Sequence, residues 1–155
     1  MKMKTKLLLS VVVLSYAPLV VAGDEGAYPK ENVAAFVVEK LDLTSLPSAF
    51  RPKKEKGKKT LADYGFTAQR MDENGAIFEA SGGVRRLAIT VLDQNSSGIY
   101  VCVAEAGENG SQAKTQSVIH LQRKDSNMLL KGRESFREFA ACPVIGSGGS
   151  SSSSY

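Results

Sequence analysis

Residues 87–105 read LAITVLDQNSSGIYVCVAE, and this stretch decides the predicted fold. Apolar residues occupy alternate positions in both of its halves, at Leu87, Ile89, Val91, Ile99, Val101 and Val103. Such alternation is typical of a strand with one buried face. The Ser97-Gly98 dipeptide between the halves favours a tight turn. We therefore predict a hairpin of two antiparallel strands with one apolar face.

Similar short runs continue on both sides of this hairpin, and turn dipeptides separate them. These dipeptides are Asn74-Gly75, Gly82-Gly83, Ser97-Gly98 and Asn109-Gly110. Turn dipeptides between alternating runs predict an antiparallel meander. After Asp125 the alternation weakens, and there we predict a turn at Lys131-Gly132 and a last strand within residues 136–145.

The segment before the meander has a helical pattern. Pro29 suits the first position of a helix. An apolar stripe with the spacing of a helix follows, at Val33, Phe36, Val37 and Leu41. We therefore predict an α+β fold in which an N-terminal amphipathic helix packs on an antiparallel β meander of about five to six strands.

Residues 87–110 resemble the region around the second cysteine of an immunoglobulin-like domain. The matching positions are Gly98, Tyr100, Cys102 and Ala104, with Leu87 and Ile89 at core positions. This resemblance implies a sandwich of two sheets and an adhesion or receptor module. The chain departs from the family pattern, because Ser96 stands where an aspartate is usual, tryptophan is absent and no cysteine precedes Cys102.

The N-terminus is typical of a secretory signal peptide. Lysines precede an apolar run that contains Pro18 and ends in small residues at Ala22. The run is shorter than the roughly 20 apolar residues of a membrane span, so we predict no stable membrane insertion. Because the leader is rich in lysine, we predict export to a bacterial periplasm and cleavage near Ala22. The predicted domains are a signal peptide at 1–22, one globular α+β domain at 23–145 and a flexible Gly/Ser tail at 146–155.

Positive charge is concentrated in RPKKEKGKKT, residues 51–60, which we call the basic loop. Without the three lysines of the predicted leader, the chain has 17 cations against 16 acids, a net charge of +1. The basic loop has six cations against one acid, which leaves −4 for the remainder. We predict that Lys53, Lys54, Lys58 and Lys59 attract an anionic partner, and a solvated loop without a partner is the alternative. Nucleic acid is not expected, because the loop has no aromatic residue to stack on bases.

Cysteine content predicts a structural bond. The chain has two cysteines, Cys102 in a predicted strand and Cys142 near the end of the predicted domain. In an oxidising compartment, an even pair in a small domain most often forms a disulfide. We predict that this bond fastens the last strand to the meander.

The sequence offers little for catalysis. His120 is the only histidine, and the alternation places it on the polar face of its strand. The two cysteines do not have the spacing of metal ligands. We therefore predict no catalytic residue, no metal and no cofactor, and a protein that is not an enzyme.

The organisation of the chain resembles small periplasmic inhibitors and the immunity proteins that protect bacteria from peptidoglycan-cutting type VI effectors. This resemblance implies a protein partner, such as a cell-wall hydrolase or amidase, whose active-site cleft is blocked by loops. The candidate contact residues lie at predicted hairpin ends, at Asn95, Ser96, Ser97, Glu108, Asn109 and Ser111. A structural or ligand-binding envelope protein and an immunoglobulin-like module are the alternatives.

Overall fold

The computed structural model describes residues 28–83, 85–106, 113–123 and 128–142. The strands are β1 (Leu41–Asp42), β2 (Phe66–Asp72), β3 (Gly75–Ala80), β4 (Arg86–Asn95), β5 (Gly98–Ala106), β6 (Ala113–Arg123) and β7 (Leu130–Glu134). They form one sheet of seven strands in the order β1-β7-β6-β5-β4-β3-β2. This sheet curls into half of a barrel.

Strands β2 to β6 are consecutive antiparallel neighbours, and their alternation separates the two faces of the sheet. Ile89 lies opposite Val103, and Val101 lies opposite Ile119. All four side chains are buried in the main core. We call the face that carries them the inner face and the opposite one the outer face.

A helix and a long connecting segment cover the inner face. Helix α1 (Val33–Lys40) buries Ala34 and Val37. The segment between β1 and β2 adds four buried side chains, those of Leu43, Leu46, Phe50 and Leu61. Full burial of an apolar side chain of this size contributes roughly 1.5–3 kcal/mol. The connecting segment therefore forms much of the second layer of the core.

The predicted α+β fold class is wrong. We expected an antiparallel meander of about five to six strands. The structure instead has a curled, mixed sheet of seven strands. The described part of the chain has one α-helix, of eight residues. The sheet is mixed because β1 pairs in parallel with β7, through Leu41 and Leu130. A strand of two residues, as β1 is, has no periodic pattern that a sequence can reveal. The single sheet also differs from the two packed sheets that the immunoglobulin resemblance implies.

The end of the chain also differs from the prediction. The turn expected at Lys131-Gly132 lies within β7. Gly132 instead permits close packing, since a Cβ atom there would lie 2.8 Å from Leu46 Cδ2 and 2.9 Å from Ile119 Cγ2. Glycine in a strand often marks such a close approach. The last strand expected within residues 136–145 is not formed by its described part, residues 136–142.

Residues 135–142 cross the outer face as an irregular segment, which we call the strap. The predicted disulfide between Cys102 and Cys142 is confirmed, with a Cα–Cα distance of 5.7 Å, and it ties the strap to β5. At the other end of the strap, Ser135 N donates a hydrogen bond of 2.8 Å to Val118 O on β6. A second apolar cluster lies under the strap and consists of Cys102, Val118 and Cys142 with Leu92, Tyr100 and Phe139.

Several sequence predictions lie outside the described residues. They concern the signal peptide at 1–22, the tail at 146–155 and the hairpin end with Glu108, Asn109 and Ser111. Within the described part of the chain, none of the helices has the length and apolar character needed to cross a membrane.

Candidate functional site

The basic loop is exposed but firmly connected to its neighbours. Lys58 N donates to Glu55 O at 3.2 Å and closes a turn, and Glu55 N donates to Tyr64 Oη at 3.3 Å. Lys59 N donates to Asp63 Oδ2 at 2.9 Å. The backbone N–H groups of Thr60 and Lys59 lower the pKa of Asp63, which keeps its carboxylate charged. These contacts connect the loop at Glu55 and Lys59 to the residues that precede β2.

The predicted contact lysines of this loop fall into two groups. Lys58 is used locally, because its Nζ lies 2.7 Å from Glu55 Oε2 and 5.7 Å from the centre of the Tyr64 ring. The hydrogen bond to Glu55 raises the pKa of Lys58. The other three, Lys53, Lys54 and Lys59, are exposed. Lys56 is exposed as well, and no ion pair within the described residues involves any of these four.

The hairpin end between β4 and β5 exposes all three residues predicted there, Asn95, Ser96 and Ser97. Asn95 Oδ1 accepts hydrogen bonds from Ser97 N at 2.8 Å and from Ser97 Oγ at 2.6 Å. Gln122 Nε2 on β6 donates to Ser97 O at 3.1 Å. The polar side chains therefore stabilise the turn itself. This turn is built on β4, β5 and β6, whereas the basic loop is built on the segment before β2, so the two predicted contact regions belong to different elements.

Ser97 and His120 are the nearest approach to a catalytic pair. Ser97 Oγ lies 3.5 Å from His120 Nε2, and the His120 ring stacks on Tyr100 with centroids 4.3 Å apart. Partial burial lowers the pKa of His120, so its neutral form is favoured. A nucleophilic serine has to donate its proton to the histidine. Here the short contact directs that proton to Asn95, so the geometry is that of a hydrogen-bonded turn.

Arg137 fastens the strap to two strands. Its guanidinium lies 4.9 Å from the centre of the Tyr100 ring and 4.8 Å from that of Phe139. Its Nη1 also pairs with Asp93 Oδ2 at 2.9 Å. A cation over an aromatic ring at a partly exposed site contributes about 0.5–1 kcal/mol. Together with the disulfide, these contacts hold the strap in a fixed position on the outer face.

The strap presents an aromatic side chain to solvent beside an open cleft. Phe136 is 97% exposed, the highest value among the large apolar residues of the described chain. The cleft lies between the strap and β6 and has a volume of about 700 Å³. Its lining includes Ser117, Val118, Glu134, Phe136, Phe139 and Ala140. Because its backbone is held in place, Phe136 is the best candidate contact residue of the described surface.

Sequence reasoning missed this surface because it assigned residues 136–145 to a strand. One signal argued against that assignment. Phe136 and Phe139 are three residues apart and flank charged residues, whereas a half-buried strand repeats every two residues. The segment before Cys142 has no alternation, and a disulfide is predicted at Cys142. Together these two signals indicate an irregular segment that a disulfide ties to the fold.

The described residues contain no group of three or more histidine, cysteine, aspartate or glutamate side chains placed to hold a metal ion. Three features of the described surface are candidate contact sites for a partner: the basic loop, the β4–β5 turn, and the strap with its cleft.

Comparison with known protein families, curated proteins and solved structures finds no significant match to this chain.

Proposed function

We propose that this protein is a non-catalytic binding protein of the bacterial periplasm, an inhibitor or immunity protein that blocks a peptidoglycan-degrading enzyme. The observation that carries the proposal is Phe136, 97% exposed on a strap that a disulfide ties to the sheet. Aromatic side chains are enriched among the residues that dominate protein interfaces. A fixed backbone adds to this, because little conformational freedom is lost on binding.

The disulfide and the basic loop support the same proposal. A disulfide in a small domain suits an oxidising compartment such as the periplasm. The exposed Lys53, Lys54 and Lys56 form a positive surface that accelerates the approach of an acidic partner. In this proposal the basic loop guides the encounter and Phe136 provides the buried contact.

The second candidate is a ligand-binding envelope protein, which the cleft beside the strap favours. Its volume of about 700 Å³ lies within the range of roughly 300–1,000 Å³ that small-molecule sites have. The two candidates differ in what Phe136 does. A protein partner buries this exposed ring, whereas a small ligand is held mainly by residues of the cleft floor such as Val118.

The test begins with capture of partners from envelope extract by the protein without its leader, followed by purification of the captured protein. We expect the purified partner to cleave peptidoglycan and to lose that activity when this protein is added. Phe136→Ala should weaken the inhibition at least about ten-fold, as loss of an interface anchor does. Ile77→Ala, which removes another exposed apolar side chain, is the matched control and should inhibit like the wild type.

Two outcomes contradict the proposal. A partner without activity on peptidoglycan excludes the inhibitor function. Full inhibition by Phe136→Ala, with the fold intact by thermal unfolding, excludes the strap as the contact surface.

The steering role of the basic loop has its own test. Replacing Lys53, Lys54 and Lys56 by glutamine should slow association with the purified partner several-fold at low salt and change it little at high salt, because salt screens exposed charges. Dissociation rates should hardly change. Lys58→Gln removes one charge from the loop and leaves Glu55 unpaired, so it should slow association less than the triple variant, which removes three charges. Equal association rates for all variants at low salt would leave the loop as a solvated connection.

A further inference from the structure

The cleft beside the strap is an acidic surface with an apolar floor. Glu134 and Glu138 are exposed at the cleft, and no ion pair within the described residues involves either of them. The one cation of the strap, Arg137, is balanced by Asp93 at 2.9 Å. Val118 is buried beneath. This combination fits a cationic side chain with an apolar stem.

The same chain carries a group of this chemistry in its basic loop. Lys53, Lys54 and Lys56 are exposed, and hydrogen bonds at Glu55 and Lys58 hold the loop that carries them. This restraint lowers the backbone entropy that docking of the loop costs. The loop belongs to the segment that covers the inner face, whereas the cleft lies on the outer face. Within the described chain no ion pair joins these lysines to Glu134 or Glu138. A second copy of the chain can bring the two surfaces together.

We propose that the basic loop of one copy docks in the strap cleft of a second copy, in a head-to-tail contact. Lysine stems can lie along the apolar cleft walls while their ammonium groups stay at the polar rim. The carboxylates of Glu134 and Glu138 pair with these ammonium groups. The exposed Phe136 ring at the rim offers a further cation–π contact.

A contact between two different surfaces leaves one loop and one cleft free at the ends of every assembly. The association therefore produces open chains or rings, with a size that depends on protein concentration and on salt. Both contact surfaces are covered inside such an assembly, so partner association is measured at protein concentrations low enough for the chain to be monomeric. This inference concerns the chain alone and does not depend on the proposed function.

The test is sedimentation velocity of the protein without its leader over a concentration series, at low and at high salt. We expect the wild type to associate at low salt and to dissociate at high salt. The loop variant replaces Lys53, Lys54 and Lys56 by glutamate, and the cleft variant replaces Glu134 and Glu138 by lysine. Each variant alone should associate at least about ten-fold more weakly, because several weak exposed ion pairs become repulsive.

An equimolar mixture of the two variants is the decisive sample. The mixture regains association, because the acidic loop of one variant matches the basic cleft of the other and the remaining loop and cleft also match. A control variant with Glu31→Lys and Glu73→Lys alters two exposed acids away from the cleft and should behave like the wild type. Thermal unfolding verifies that each variant is folded.

Three results would overturn the proposal. The first is a wild type that stays monomeric at the highest concentration at low salt. The second is a loop variant that associates as well as the wild type, which places the contact elsewhere. The third is a mixture of folded variants that remains monomeric.

Discussion

Gly98 shows most clearly how one residue is tied to its neighbours. It follows the β4–β5 turn with φ at 154°, and a Cβ atom there would clash with Leu121 O and lie 2.5 Å from His120 Nε2. The first of these atoms belongs to the backbone of β6, so it cannot move without disturbing the pairing of β5 with β6. Glycine is therefore required at this position for space and for backbone conformation.

Gly98→Ala should lower the free energy of unfolding by about 2–4 kcal/mol, near the upper end of single substitutions. Gly132→Ala is the matched control, because the obstructing atoms there are side-chain ends, Leu46 Cδ2 and Ile119 Cγ2, which can shift. Its cost should be about 1 kcal/mol, the lower end for overpacking. Urea unfolding measures both. Equal costs would mean that the backbone of β6 is not the obstacle.

His120 provides a prediction on pH. Partial burial lowers its pKa from the ordinary 6.5. Folding therefore favours the neutral ring, so this contribution to stability is complete above pH 6.5 and is lost as the pH falls through the lower pKa of the folded state. Titration of the His120 ring by NMR should give a pKa below 6.5. Between about pH 7 and pH 5, the His120→Gln variant should lose less stability than the wild type. A measured His120 pKa above the ordinary value would contradict the effect of burial.

At the scale of an element, the strap is a short irregular segment that replaces a strand. Its position depends on the disulfide at Cys142, on the pair between Arg137 and Asp93, and on one backbone hydrogen bond from Ser135. The first two of these contacts are made by side chains and lie outside the backbone hydrogen bonds of the sheet. The strap should therefore be the first part of the outer face to detach when one anchor is removed.

Cys142→Ser tests this dependence. The disulfide spans 40 residues of sequence, and its loss should lower the free energy of unfolding by about 2–5 kcal/mol. Hydrogen exchange should accelerate first at strap amides such as that of Ser135, which donates to Val118 O, while amides of β5 remain protected. The double replacement of Cys102 and Cys142 by alanine is the control for a free thiol and should give a similar loss. An unchanged melting temperature would show that the strap adds no stability.

At the scale of the whole molecule, the curled sheet has its second layer in segments that are mostly not strands. The connecting segment before β2 places Phe50 in the core with no exposed surface. Among the six phenylalanines of the chain, Phe136 has the opposite environment, because its side chain is almost completely exposed. This contrast permits a comparison of two identical side chains, one in the core and one on the surface.

Phe50→Ala should lower the free energy of unfolding by about 3–5 kcal/mol, because it leaves a cavity between the connecting segment and the inner face. Phe136→Ala should change it by less than about 0.5 kcal/mol, as exposed substitutions do. Scanning calorimetry of both variants measures these changes. Similar melting temperatures for the two variants would show that the connecting segment is not part of the cooperative core.

The sequence by itself determined the strands with a repeating pattern, their buried faces and the cysteine pairing. Alternation in LAITVL and IYVCV reports which face of a strand is apolar, and two cysteines leave only one possible intramolecular bond. It also located the basic loop, since charge and exposure follow composition. The sequence did not reveal that Lys58 pairs with Glu55 or that the Phe136 side chain is exposed, because both depend on the folded positions of neighbouring residues.

Only the tertiary structure decided the fold class, the mixed sheet and the strap. The pairing of Leu41 with Leu130 joins residues that are distant in the sequence, and two paired positions are too few to produce a pattern. The strap follows the shape of the outer face and its disulfide, without a repeat of its own. Local periodicity reports how a segment is buried, whereas the partner of each segment is selected by the packing of the complete molecule.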